Sequence, residues 1–104
     1  MKNKDLLKPS EDKLVGGWVK VGDEIRPDEV LSRIRYLVDT QLERLGTDET
    51  GWDALFLDPS DGRYWELIYP QGEMHGGGPA SIVNLTKEQA MRKYPHIGQA
   101  HHSR

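Results

Sequence analysis

Between Pro27 and Leu45 the apolar residues fall on one line. Val30, Ile34, Val38 and Leu42 recur at every fourth position, with Leu31, Leu37 and Leu45 beside them. That spacing is one stripe of a 3.6-residue period and predicts a long amphipathic helix over 27–45. Arg33, Arg35, Asp39, Glu43 and Arg44 lie mostly off the stripe and face water. Pro27 near the start and Gly46 just past the end fit the usual helix termini. A helix with one apolar face must bury it against another layer, so the rest of the chain has to supply that layer.

The flanking segments read as strands. Leu14–Val21 is rich in β-formers (Trp18, Val19, Val21), weakened at its start by Gly16–Gly17. Gly22–Asp23 marks a turn. Residues 52–57 (WDALFL) and 63–69 (RYWELIY) are joined by Asp58-Pro59-Ser60-Asp61-Gly62, which predicts a hairpin. On the second strand Trp65, Leu67 and Tyr69 share one face, and Tyr64, Glu66 and Ile68 the other. Both faces carry large side chains, so this strand belongs in the middle of a sheet. Residues 70–79 form a Gly/Pro-rich loop, and Ser81–Leu85 is a short strand. Thr86-Lys87-Glu88-Gln89 has the pattern of a capping box and opens a short helix to about Tyr94, where Pro95 ends it.

The expected fold class is therefore α+β. A small, mainly antiparallel sheet packs against one long helix, with a short C-terminal helix and the order β–α–β–β–β–α. At 104 residues the chain has room for one domain. The expected division is a flexible N-terminal arm at 1–13, a single domain at 14–95 and a flexible tail at 96–104.

The absence of cysteine excludes disulfides and thiolate metal sites. The first residues contain no apolar stretch of the kind a signal peptide needs, and no run approaches a membrane span. A cytoplasmic location is the expectation. The net charge is −3, but it is unevenly placed. Residues 47–75 hold Asp48, Glu49, Asp53, Asp58, Asp61, Glu66 and Glu73 against Arg63 alone. A nucleic-acid-binding face requires the opposite sign. An acidic segment suits a basic protein partner, whose approach it steers, or serves as a solvated surface.

Several motifs suggest chemistry. His75-Gly76-Gly77-Gly78 resembles an esterase oxyanion loop, but none of Ser10, Ser32, Ser60, Ser81 or Ser103 sits in a G-x-S-x-G turn. His75, His96, His101 and His102 have no i, i+4 pair, so no metal site is expected. The Asp58–Gly62 run lacks the register of a calcium loop and reads as a turn. Glu66 lies on a partly buried strand and has to be paired or protonated. It can be a general acid/base acting with His75, a structural partner of Arg33 or Arg35, or an interface carboxylate. Trp18, Trp52, Tyr64, Trp65 and Tyr69 cluster in the strand regions. Most should be core, and one or two can anchor a partner.

Taken together, Gly16-Gly17-Trp18, Asp28 entering the helix, Gly51-Trp52, Asp58 to Glu66, Tyr69-Pro70 and His75 to Pro79 resemble the immunity protein 27 family of bacterial polymorphic toxin systems. The resemblance covers roughly Leu7 to Tyr94. Its specific part is DGRYWE followed by HGGGP. It implies neutralisation of a cognate toxin domain by direct contact in the cytoplasm, with no catalytic residue and no cofactor. The contact residues expected on the acidic hairpin and the following loop are Asp53, Asp58, Asp61, Tyr64, Glu66, Glu73 and His75. The rival readings are a small acid/base enzyme using Glu66 and His75, and a generic adaptor module.

Overall fold

The computed structural model describes residues 6–70 and 78–97. Seven strands and two helices follow in the order β1 (Lys13–Val15), β2 (Trp18–Val21), β3 (Glu24–Pro27), α1 (Glu29–Tyr36), β4 (Glu43–Thr47), β5 (Ala54–Leu57), β6 (Tyr64–Ile68), β7 (Ser81–Leu85) and α2 (Lys87–Lys93). Five strands form one antiparallel sheet in the order β1-β7-β6-β5-β4, and β2 with β3 forms a separate two-stranded ribbon. The expected α+β class, antiparallel sheet and short C-terminal helix are all present, and β6 is the central strand.

The first strand divides because of its glycines. Leu14 lies in β1, but Gly16 and Gly17 turn the chain out of the main sheet before Trp18. The Gly16 N–H donates to the Ala80 carbonyl at 3.0 Å, and the Asp28 N–H donates to the Gly17 carbonyl at 3.0 Å. A Cβ at Gly16 would overlap the Ala80 carbonyl oxygen, and one at Gly17 would lie 2.7 Å from Asp28 Oδ2. Side chains are excluded by close backbone approach at this corner.

The helix is shorter than its stripe. Pro27 ends β3, and Asp28 is the N-cap, its carboxylate accepting from the Leu31 N–H at 2.8 Å. After Tyr36 the helix widens into a π-helical turn, Leu37–Gln41, closed by the Leu42 N–H donating to the Leu37 carbonyl at 2.8 Å. Thr40 bonds back to the Tyr36 carbonyl, which competes with regular helix geometry. Leu42 is extended, and residues 43–47 form edge strand β4 with a bulge between Arg44 and Gly46. The expected helical residues 43–45 are thus strand. Leu42 and Leu45 still face inward, so burial is conserved while the backbone state differs.

The helices cover opposite faces of the sheet. On one face α1 and the π turn contribute Ile34 and Leu37 against Leu14, Ala54, Phe56, Trp65 and Ile82. On the other, α2 contributes Ala90 and Tyr94 against Leu55, with Leu45, Tyr64 and Leu85 alongside. The capping box forms as expected: the Thr86 hydroxyl accepts from the Gln89 N–H, and the Gln89 side chain accepts from the Thr86 N–H. Residues 95–97 make a further helical turn that buries Ile97 in the second cluster.

Residues 6–12 are held by two arginines. Arg33 donates to both Glu11 carboxylate oxygens and to the Leu6 carbonyl, while Arg63 donates to the Glu11 and Lys8 carbonyls. The fork-on-carboxylate geometry is the strong form of this contact. The Arg33 hydrogen bonds hold the Glu11 carboxyl well down, at about 2.

Candidate functional site

Two regions merit description as candidate sites, and they differ in chemistry. The first is built on Glu66. Central strand β6 places this carboxylate on the α2 face of the sheet, where it is buried. Lys93, in the last turn of α2, reaches Glu66 Oε2 at 2.6 Å and Asp53 Oδ2 at 2.8 Å. The Tyr94 hydroxyl donates to the same Glu66 oxygen at 2.8 Å. Burial works against the Lys93 charge, yet the hydrogen bonds to Asp53 and Glu66 outweigh it and hold the ammonium well above its ordinary range. Burial, reinforced by the Glu66 carboxylate, pushes the Tyr94 phenol well up as well.

Asp53, Glu66, Lys93 and Tyr94 thus form a closed set whose bonds join α2 to the sheet. The structural partner of Glu66 is Lys93 rather than Arg33 or Arg35. Arg33 is engaged with Glu11, and the Arg35 guanidinium lies 5.9 Å from the Trp18 ring centroid.

The other acidic residues of the expected surface are separated from this set. Asp58 sits at the opposite end of β5. It is buried and accepts from both the Ser60 N–H and hydroxyl, which fixes the β5–β6 turn. Asp61 is paired with Arg63 at 2.7 Å. Tyr64 is half-buried and packs on the α2-side cluster. Asp48 accepts from Thr50 and from the N–H groups of Gly51 and Asp53, which lowers its carboxyl, the Thr50 hydroxyl contributing most. Glu73 and His75 lie outside the described residues, and so does the expected approach of His75 to Glu66.

The second region is a groove bounded by aromatic residues. It has a volume of about 170 Å³ and lies between the ribbon, α1 and the end of β6. Leu31, Ile34, Val38 and Leu67 line it, with Trp18 and Tyr69 also at its wall and Gly78 to Ala80 closing one side. Trp52 meets Tyr69 edge to face, with ring centroids 6.3 Å apart. These rings are solvent-facing: Trp18 is 44% exposed, Tyr69 37% and Trp52 68%. The ribbon continues the surface, because Trp18 pairs with Pro27 and Lys20 with Ile25, setting Trp18 and Ile25 on one face.

Sequence reasoning expected one or two aromatics at a partner surface and named Tyr64 among the contacts, but did not single out Trp18, Trp52 or Tyr69. The signal lay in position. Trp52 precedes its strand and follows the Gly51 turn, and Trp18 opens a two-stranded ribbon, so neither has a sheet neighbour on both sides.

Several residues that carry the family resemblance (Gly16, Gly17, Trp18, Asp28, Trp52, Tyr69 and Pro79) lie at this groove or at the corner that shapes it. No curated protein matches the chain, and no solved structure does. The family model described as Immunity protein 27 matches residues 20–86, from the ribbon through β7 and well over half of the sequence. On that match, the chain belongs to the immunity protein 27 family.

Proposed function

We propose that this protein neutralises a cognate bacterial toxin by direct protein–protein contact, in the cytoplasm of the cell that makes it, and that it does so as a cover and not as a catalyst. The observation that carries this reading is the exposed aromatic set Trp18, Tyr69 and Trp52 around a groove. Tryptophan and tyrosine are the usual anchors of protein interfaces, and a grouped apolar surface on a small domain calls for a partner. Glu66, the carboxylate an acid/base enzyme would use, is instead engaged by Lys93 and Tyr94.

Charge narrows the class of toxin. Asp48 and Glu49 flank the Trp52 turn, and the segment from 47 to 75 carries a large excess of acids. Such a field speeds the approach of a basic protein. A nuclease domain, which must be basic to hold its phosphate backbone, is the toxin class this favours. Asp53 and Asp61 belong to the acidic rim in this proposal, together with Glu73 and His75 of the following loop. Asp58 and Glu66 act from within, by holding the hairpin and α2 in place.

The test is co-expression with candidate toxin domains taken from the genes that flank this one. Survival that depends on the protein, and a purified complex burying on the order of 1,200–2,000 Å², are the expected results. Turnover of a small molecule by the isolated protein, abolished by Glu66→Gln, would overturn the proposal. An adaptor role would show itself as no protection and no complex.

A further inference from the structure

We infer that the anchor of the complex is a segment of the partner protein that places an apolar side chain in the Trp18–Tyr69 groove and a lysine or arginine against Asp39. The inference rests on the toxin-neutralisation reading and specifies the surface and the chemistry it recognises.

Size comes first. The groove is about 170 Å³ with an apolar floor of Leu31, Ile34, Val38 and Leu67. Apolar cavities of ~150 Å³ hold a benzene-sized group. One aromatic or leucine-sized side chain therefore fills it, flanked by Trp18 and Tyr69.

Charge then selects the neighbour of that side chain. Two ionic groups line the groove, Arg35 and Asp39. Arg35 is laid against the Trp18 ring, 5.9 Å from its centroid. The Asp39 side chain makes no hydrogen bond or ion pair among the described residues. Lys20 lies farther out along the ribbon, while Asp48 and Glu49 lie beside Trp52, which touches Tyr69. Asp39 is thus the ionic group of the groove whose side chain has no contact among the described residues, and a cation placed there gains an ion pair with it.

The ribbon supplies a third reason. Every residue of β2 is exposed, as are Glu24, Ile25 and Arg26 of β3. An isolated two-stranded ribbon is marginal in water, so a partner packed on its Trp18–Ile25 face completes it.

Isothermal titration of the neighbouring toxin domain, with circular dichroism to confirm folding, tests this directly. Trp18→Ala and Asp39→Lys should each weaken binding at least tenfold, while Lys87→Ala, an exposed position at the start of α2, leaves it unchanged. Asp39→Asn should reduce the salt dependence of the association rate. If Trp18→Ala impairs folding, the Asp39 variants carry the test. Binding by both groove variants within twofold of the parent, with Asp61→Lys weakening it, would overturn the groove assignment and leave toxin neutralisation standing. Failure of the parent protein to bind or protect would overturn both. A dimer of this chain that Trp18→Ala dissociates would make the occupant a second copy and likewise reject the inference.

Discussion

Trp65 and Trp52 flank the same hairpin strand, yet Trp65 is 0% exposed and Trp52 68%. Glu66 and Asp39 make a parallel pair: the first is held by a lysine and a tyrosine, the second has no partner among the described residues. In the interior the apolar side chains pack on one another and Glu66 is paired, with the Trp65 indole N–H the buried side-chain polar group left without a partner among the described residues. At the groove, aromatic area and a carboxylate are left in water. A domain of this size gains nothing in folding from exposing tryptophan, so the contrast separates residues that hold the fold from residues available to a partner.

The contrast can be broken by substitution. Trp65→Ala should have the largest effect on stability, a loss of about 3–5 kcal/mol, because it empties the centre of the α1-side core. Urea unfolding measures it, and a loss below 1 kcal/mol would mean that this core is not as close-packed as described.

Lys93→Ala should cost about 2 kcal/mol. It leaves Glu66 buried without its cation, although Lys93 itself is partly exposed, which moderates the loss. Its pH dependence has a definite sign. Lys93 and Tyr94 both sit above their ordinary values of 10.5 and 10.0. Their contribution is complete below those values and is lost as pH rises toward the folded ones. The unfolding free energy of the parent should fall between pH 9 and pH 11 by ~1 kcal/mol or more, and Lys93→Ala should flatten that decline.

Glu11→Gln tests the arm in the opposite pH range. Glu11 is held at about 2 against an ordinary 4.5. Its contribution is present above 4.5 and disappears as pH falls through about 2. The substitution should cost about 1 kcal/mol at pH 7 and only a small part of that at pH 2, read as a shift in the urea midpoint.

The smallest effect is the other half of the tryptophan comparison. Trp52→Ala should change stability by about 0.5 kcal/mol or less while weakening toxin binding. A large stability loss there would place Trp52 with the core and remove it from the proposed surface.

Local rules were legible in the sequence and long-range partners were not. The Asp58–Gly62 turn, the Thr86 capping box and the central position of β6 each follow from a few adjacent residues, and each is present. The helix end was misjudged because Leu42 and Leu45 fit two periods at once. Leu42 is buried and Leu45 partly so, and only the π turn, which no pattern of apolar positions announces, moves them out of the helix. Strand β3 was missed for a related reason, since Glu24–Pro27 is polar, exposed and paired only with β2. Of the candidate site, Glu66 was correctly singled out as a residue in need of a partner. Lys93 was invisible as that partner because it arrives on a separate helix after β7. The groove was equally hidden, since Trp18, Leu67 and Tyr69 meet only once the ribbon has folded back beside α1.

The pairing of β1 with β7 governs the order in which the chain can be completed. Among the described residues Lys13–Val15 finds its strand partner in Ser81–Val83, so Leu14 waits for Ile82, far along the chain, to emerge. A polypeptide cut short before residue 81 forfeits two strands from the sheet and the backstop at Ala80 that seats the Gly16 corner. Fragments that stop short of β7 should therefore be degraded rather than accumulate as partly competent protein, and β7 must leave the ribosome before β1 can be seated.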